Sequence, residues 1–194
     1  FMTVPGVYRQ ILREITADLR KIKKLKRVKN FLCAGEHLKK EIIIEWKKKL
    51  NKYIYEGLGM SEISYFISNN PMKKIVPGSC GKVQPGHNAF LVDDKYNKIS
   101  NNTVGELVVE TKDPGLMIKY WRDPWETKRK FKNNLFLTGD IFKLDTKGYL
   151  WFQSRKDEII NVLGFRISPK EIEEIVDSIN FVDESCLLYT SDAA

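Results

Sequence analysis

Asp140 and Arg155 are the residues whose types and spacing most directly suggest chemistry. They lie at the ends of two predicted strands joined by the turn-forming segment 145–148, so a tight hairpin brings them near each other. A carboxylate accepts hydrogen bonds from a ribose diol, and a guanidinium fork suits ribose or phosphate oxygens. The pair therefore predicts a nucleotide-binding site, and a structural ion pair at the end of the sheet is the alternative.

A second candidate is the glycine-rich segment 56–62, which follows the predicted strand 53–55. Its two glycines let the backbone approach a planar or phosphorylated ligand closely. Ser61 supplies a hydroxyl and Glu62 a carboxylate, which together can hold a phosphate oxygen and a Mg²⁺ ion. An ordinary turn is the alternative for this segment.

The elements that must position these residues begin with an alternation of helices and strands. Apolar residues at spacings of three and four predict helices at 8–29 and 36–50, and short apolar runs predict strands at 30–34 and 53–55. Each strand is followed by a loop of small or acidic residues. This is the α/β pattern in which ligands bind outside the carboxyl ends of strands.

From residue 77 onward, glycines and prolines separate short β-rich runs, which predict a small β-barrel or sheet subdomain. Asp123 and Ser168 each precede a proline and, three residues on, a glutamate, so each predicts the start of a helix. The predicted strands are 89–93, 105–110, 141–144 and 149–153, with the last two joined as a hairpin.

The composition describes a globular protein without a membrane span. The chain has 194 residues, is 42% hydrophobic and carries a net charge of +8, and it holds no apolar run of about eighteen residues. The lysines of segment 21–29 alternate with apolar residues at helical spacing. We expect them to form the exposed face of an amphipathic helix, with nucleic-acid binding as the alternative.

The cysteines and histidines predict free thiols and no zinc site. Cys33, Cys80 and Cys186 are odd in number and widely spaced, which is typical of a reducing compartment. His37 and His87 do not form a zinc-ligand spacing with them, so neither histidine is expected in a ligand cluster. The first residues carry no secretory signal pattern, and cytoplasmic localisation is the prediction.

Seven segments, in order, resemble the motifs of the adenylate-forming enzymes, the superfamily of acyl-CoA synthetases, adenylation domains and luciferases. Segment 55–62 resembles the family's Tyr-Gly-x-Thr-Glu motif, and 138–140 matches its Thr-Gly-Asp motif. Three positions depart from the pattern: Leu58 replaces a frequent adenine-stacking aromatic residue, His37 replaces Pro or Ala, and Ser154 replaces Gly. The other similar segments are 34–36, 78–86, 105–107, 120–131 and 154–171.

The resemblance implies a role for each matching residue. Ser61 would contact the α-phosphate, and Glu62 would hold Mg²⁺. Asp140 would bind the ribose hydroxyls with help from Arg155, and Asp157 would be the hinge about which a small domain rotates. The adenine pocket would be lined by Gly35, Glu36, Glu56, Gly57, Leu58 and Gly59, while Gly164 and Arg166 would approach the pantetheine tunnel and the phosphates.

The function that the resemblance implies is an ATP-dependent carboxylate–CoA ligase of the benzoate-CoA ligase-like and medium-chain group. Such an enzyme joins a carboxylic acid to AMP with release of pyrophosphate, and then to CoA with release of AMP; ATP, Mg²⁺ and CoA are its cofactors. Transfer to a carrier-protein thiol and a non-catalytic nucleotide-binding remnant are the alternatives. The acid and the oligomeric state are not determined by the sequence.

The resemblance also implies how the chain is divided. Residues 1–154 would be the C-terminal portion of the large domain, which comprises α/β sandwich and β-barrel parts, and 155–185 the hinge and the start of a small α+β domain. Residues 186–194 resemble the translation of a sequencing adapter. The family's Pro-Lys phosphate loop and its small-domain lysine find no match here, so we expect an internal fragment that is inactive alone.

Overall fold

The computed structural model describes residues 1–70, 75–100, 102–162, 165–182 and 185–188, with backbone alone at 161–162 and 165–166. Within these residues the fold consists of helices and β-sheets, as the predicted α/β class requires. Two larger sheets and one two-stranded sheet are present in the described chain.

The first sheet has the strand order β1-β2-β3-β4-β5. Its first three strands are parallel, and the next two pairs are antiparallel. A hydrogen-bonded pair of parallel strands needs a crossover connection, which here is a helix in each case. The strands are β1 (Met2–Thr3), β2 (Phe31–Cys33), β3 (Ile54–Met60), β4 (Ser64–Ser68) and β5 (Lys82–Val83).

Helices α1 (Pro5–Ala17) and α3 (Lys40–Leu50) supply the apolar faces that pack beside the parallel strands. Pro5 begins α1 at a position where the missing N–H costs no hydrogen bond. The ring of Trp46 makes edge contacts with Tyr8 and Phe31 at centroid distances of 5.0 and 4.9 Å. This core explains why both segments are helical: their buried residues recur every three or four positions.

The predicted helix 8–29 is wrong in its length, because Asp18 divides it. The backbone of Asp18 is extended, and its carboxylate accepts the N–H of Arg20 at 3.0 Å, so one helix ends and a new turn begins there. A 3₁₀ turn (Leu19–Lys21) and the short α2 (Ile22–Leu25) follow. The lysines of segment 21–29 are exposed and the apolar residues between them, Ile22, Leu25 and Val28, are half-buried, as predicted, whereas Leu19 is exposed.

The second sheet is antiparallel, with the order β10-β9-β7-β6 and β8 paired to β9. It joins the first sheet through Leu150, which exchanges two backbone hydrogen bonds of 2.9 Å with residues 80–81. A shared apolar cluster therefore lies between them. The strands are β6 (Ala89–Val92), β7 (Thr103–Glu110), β8 (Phe131–Lys132), β9 (Leu135–Leu144) and β10 (Leu150–Arg155).

Strand β9 is longer than the predicted strand 141–144, so Asp140 lies within a strand and not at its end. The buried residues of 135–137 pair with β7 and extend the strand toward the N-terminus. Gly139 has a φ of +82°, which lets the backbone bend inside the strand. The turn at 145–148 forms as predicted, with the Gly148 N–H donating to the Asp145 carbonyl at 3.0 Å.

Two predicted helix starts are confirmed. Asp123 accepts the N–H of Glu126 at 2.8 Å and begins α4 (Pro124–Lys130). Ser168 precedes α5 (Pro169–Asp177), and its backbone N–H donates to the Glu171 carboxylate at 3.3 Å. Between the second sheet and α5 lies the hairpin of β11 (Ile160–Val162) and β12 (Phe165–Ile167). No helix in the described residues has the length and apolar character needed to cross a bilayer.

Candidate active site

The carboxyl ends of β2 and β3 bring the predicted adenine-side residues together. Cys33 and Glu56 are register partners in these parallel strands, so the loop after β2 starts beside Glu56. Glu56 is buried, and its Oε1 accepts the N–H of Leu38 at 3.0 Å and contacts His37 Nδ1 at 2.8 Å. Glu56 thereby anchors the loop that carries Gly35 and Glu36, both of which are exposed.

The predicted glycine-rich turn at 56–62 is wrong in its position. Gly57 and Gly59 continue β3 and pair with Ser68 and Tyr65 of β4, and the turn itself spans 61–63. A methyl group at Gly57 would lie 1.7 Å from the Tyr65 hydroxyl oxygen, so the Tyr65 ring occupies the space that a side chain would need. A methyl group at Gly59 would lie 2.4 Å from the Ser64 carbonyl oxygen, so the backbones of the two strands approach closely there. The glycines thus serve a hairpin and not a loop. Leu58 packs against the apolar cluster between the sheets.

Ser61 and Glu62 lie at the tip of this hairpin, beside a cavity. Ser61 is exposed and lines a cavity of about 450 Å³, together with Ala34 from the end of β2. Glu62 is half-buried, and its Oε1 accepts the hydroxyl of Tyr120 at 2.7 Å. Burial, and then the hydrogen bond to Glu62, raise the pKa of Tyr120 well above its usual value, so the tyrosine stays the donor. The hydroxyl of Tyr120 therefore orients the carboxylate of Glu62.

Asp140 and Arg155 are register partners across the β9–β10 hairpin, and they form an ion pair. Arg155 Nη1 donates to Asp140 Oδ1 at 2.8 Å, and Arg155 Nε donates to Asp157 Oδ1 at 3.3 Å. Burial raises the pKa of the Asp140 carboxyl, and the charge of Arg155 offsets only part of that effect. Both readings of the pair, structural and nucleotide-binding, require this proximity.

Glu106 and Lys156 support the backbone around Asp140; both lie in segments that resemble the family motifs, but neither was predicted as a site residue. Glu106 on β7 is buried, accepts the Gly139 N–H at 3.2 Å and pairs with Lys156 Nζ at 2.7 Å. The Thr138 hydroxyl donates to the Leu107 carbonyl at 2.7 Å. A Gly-Glu pair on a strand predicts nothing about such a contact, because Glu106 and Gly139 are 33 residues apart.

Helix α4 lies between the Glu62 and Asp140 groups. The backbone N–H of Tyr120 donates to Thr127 Oγ1 at 3.1 Å, which ties the segment before α4 to the helix. Lys130, the last residue of α4, reaches the Thr138 carbonyl at 3.5 Å. Arg129 of the same helix is close enough to Asp157 for the charge of that carboxylate to stabilise the guanidinium. The helix therefore brings two basic side chains, Arg129 and Lys130, toward the Asp140 group.

The three remaining predicted site residues are Asp157, Arg166 and Gly164. Asp157 is exposed and follows β10 directly, in a turn. Arg166 lies in β12, where its backbone pairs with Asn161 of β11. Gly164 lies outside the described residues. The structure thus places Asp157 near Arg155, at 3.3 Å.

One expectation about histidine is wrong. His37 belongs to a cluster with Glu56 and Cys80 whose ligand-type atoms all lie within 4.8 Å of one another. In sequence, His37 is 19 residues and Cys80 is 24 residues from Glu56, so no local spacing could reveal the cluster. His87 instead contacts the buried carboxylate of Asp113 at 3.2 Å. All three cysteines are free thiols, as predicted.

Comparison with known proteins identifies the family. The family model described as AMP-binding enzyme matches residues 1–121. The rat protein named acyl-coenzyme A synthetase ACSM3, mitochondrial, is 31% identical over 99% of this chain, which covers 33% of that protein. The chain thus spans about a third of the length of the curated relatives it matches.

Solved structures agree with this match. The ATP-bound structure of MatB from Rhodopseudomonas palustris has a TM-score of 0.86 at 29% identity, over 96% of this chain and 37% of that one. The anthranilate CoA ligase AuaEII, solved with anthranoyl-AMP, has a TM-score of 0.79 at 28% identity, over 95% and 35% of the two chains. The chain therefore belongs to the adenylate-forming superfamily of AMP-binding enzymes and is of the acyl-CoA synthetase type.

Proposed function

We propose that this chain forms the nucleotide-binding part of an ATP-dependent carboxylate–CoA ligase. The observation that supports it most directly is the meeting of the Ser61–Glu62 turn and the end of β2 around one cavity, in a chain whose family binds AMP. The rat relative is named an acyl-CoA synthetase, and AuaEII was solved with an acyl-adenylate. These names support CoA as the acceptor over a carrier-protein thiol.

The proposed reaction has two steps. A substrate carboxylate oxygen attacks the α-phosphorus of ATP, and pyrophosphate leaves with the bonding electrons, giving an acyl-adenylate. The CoA thiolate then attacks the acyl carbon, and AMP leaves, giving a thioester. Charge develops on the phosphate oxygens in the first step, so preorganised donors and cations near them lower the barrier.

The residues of this chain would divide the binding of ATP between two groups. The loop of Gly35 and Glu36, with Glu56 to Gly59 behind it, would receive the adenine. Asp140 would accept hydrogen bonds from the ribose hydroxyls, and Arg155 would hold the carboxylate in place. Ser61 would donate its hydroxyl to the α-phosphate.

Glu62 is the residue that fits a magnesium ion. A carboxylate has two oxygens with about four acceptor positions, so the bond from Tyr120 leaves capacity for a cation. Mg²⁺ prefers oxygen ligands and uses few protein carboxylates together with phosphate oxygens. When bound, the ion would neutralise phosphate charge. Tyr120 would orient Glu62 toward it.

The remaining parts of the proposal concern the whole protein. We infer that the chain is an internal part of a longer enzyme, that residues 1–154 belong to the large domain and that 155–185 include the hinge at Asp157. Gly164 and Arg166 would then act from the small domain. We expect the 194-residue chain alone to be inactive. Cytoplasmic localisation stays a prediction, and the rat relative carries the word mitochondrial in its name.

Acid-dependent exchange of pyrophosphate into ATP tests the first step. The full-length protein is incubated with a panel of carboxylic acids, and CoA is then added to follow AMP release and thioester formation. Glu62→Gln should lower the exchange rate, whereas Glu41→Gln, which changes an exposed residue of α3, should not. An intact, folded protein that exchanges no pyrophosphate with any acid would contradict the proposal.

A further inference from the structure

The cluster of His37, Glu56 and Cys80 has the composition of a metal centre. Nδ1 of His37 lies 2.8 Å from Glu56 Oε1, and Cys80 Sγ lies 3.8 Å from the same oxygen. All three ligand-type atoms are within 4.8 Å of one another. The three residues come from the loop after β2, from β3 and from the segment before β5, so the fold alone brings them together.

The second carboxylate oxygen of Glu56, Oε2, has the environment expected of an atom that binds a cation. The Glu56 side chain is only 3% exposed, and its Oε2 is buried without a hydrogen-bond partner among the residues that the structure describes. A buried carboxylate oxygen without a partner is costly, because nothing replaces the water that it has lost. A cation bound at this oxygen would remove that cost.

The charges of the cluster suit a divalent ion. Zn²⁺ binds histidine nitrogen, cysteine sulfur and carboxylate oxygen, often with three protein ligands and one open position. A glutamate and a cysteine thiolate together carry two negative charges, which balance the ion and leave a neutral buried site. Cys80 would bind as the thiolate, because a divalent ion displaces the thiol proton to solvent when it binds.

We propose that His37, Glu56 and Cys80 bind Zn²⁺ or a similar thiophilic divalent cation. His37 would coordinate through Nδ1, and its ring proton would then reside on Nε2. Its side chain is 22% exposed, which provides a route from solvent to the buried pair. The ion would hold the loop at Gly35 and Glu36 against β3. This site is separate from the Mg²⁺ position proposed at Glu62, and it does not rest on the ligase activity.

Cobalt binding provides the test, because Co²⁺ substitutes for zinc and its bond to a thiolate absorbs light. The full-length protein is stripped with a chelator and titrated with Co²⁺, and Zn²⁺ is then added as a competitor. Wild-type protein should show a thiolate-to-cobalt band at one equivalent, which Zn²⁺ removes and excess Mg²⁺ does not. Absence of the band in wild-type protein would overturn the proposal.

Three variants assign the ligands. Cys80→Ser should abolish the band, and His37→Asn should weaken cobalt binding by at least about tenfold. Cys33→Ser is the matched control, since Cys33 is equally buried and outside the cluster. Circular dichroism checks the fold of each variant. Because His37 is partly exposed, His37→Asn should fold, and unchanged cobalt affinity in that variant overturns the proposal whatever Cys80→Ser does.

Discussion

Replacing Asp140 with asparagine separates the two roles that its ion pair with Arg155 could have. The substitution keeps the shape of the side chain and one acceptor oxygen, and it removes the charge. In the folded protein Asp140 is 4% exposed and accepts from Arg155 at 2.8 Å. If the pair is structural, the substitution should lower the stability of the fold. If Asp140 binds the ribose, the substitution should lower the affinity for the nucleotide.

The structure sets the expected size of each effect. Arg155 is 34% exposed on its side chain and keeps its contact with Asp157, so losing the Asp140 charge does not leave it isolated. We therefore expect the free energy of unfolding to fall by about 1 kcal/mol, well below the ~3–5 kcal/mol for a fully buried pair. A hydrogen bond to a charged acceptor is worth roughly 1 kcal/mol more than one to a neutral acceptor, which corresponds to a roughly fivefold weaker Kd for ATP.

The assay combines urea unfolding with calorimetric titration of ATP into the full-length protein. Asp157→Asn is the matched control, because Asp157 contacts the same guanidinium from an exposed position. That control should change ATP affinity by less than Asp140→Asn does. Lower stability with unchanged ATP affinity in Asp140→Asn would refute the ribose role and leave a structural ion pair.

The contacts of Gly57, Tyr120 and Asp113 lead to three further predictions. Gly57→Ala should lower the free energy of unfolding by about 1–3 kcal/mol, since its methyl group would lie 1.7 Å from a hydroxyl of β4. Gly6→Ala should not lower it, because the nearest atom would lie 3.9 Å away, an ordinary contact, and urea unfolding of both variants decides it. Tyr120→Phe removes the 2.7 Å hydrogen bond to Glu62 and should weaken the binding of Mg²⁺-ATP by roughly fivefold, measured by calorimetry. An unchanged Kd would count against the role of Tyr120 in orienting Glu62. Burial opposes the ionisation of Asp113, but bonds from the N–H groups of residues 88 and 115 outweigh it and hold its pKa below the usual value. Its carboxylate thus stabilises the fold above pH ~4, and this stability is lost as the pH falls through the lower pKa of the folded state. In Asp113→Asn the free energy of unfolding should therefore decrease less steeply with acidification, and an unchanged dependence on pH would contradict this.

Local pattern predicted most elements of the fold, and its errors have one local and one distant cause. Capping residues located α4 and α5, and apolar periodicity located α1 and α3. The helix predicted at 8–29 was too long, because periodicity cannot show that Asp18 prefers to cap a new turn. The strand predicted at 141–144 was too short, because pairing with β7 and β8 extends it.

The candidate site shows the same division. Order and spacing of the motifs were sufficient to identify the superfamily and to select Ser61, Glu62, Asp140 and Arg155. The hydrogen bond from Tyr120 to Glu62 joins residues 58 apart, and the support of Gly139 by Glu106 joins residues 33 apart. Such contacts depend on which strands become neighbours, and no local period encodes that choice.

By itself, the sequence determined the superfamily, and it indicated as candidate site residues the acidic, hydroxyl and basic side chains that match the adenylate-forming motifs. Tertiary structure alone decided their environments. It placed Asp140 inside a strand and buried it, and it brought His37, Glu56 and Cys80 together. The physical reason is that residue type sets what a side chain can do, whereas burial and partners, which set its charge and orientation, arise only when distant strands pack.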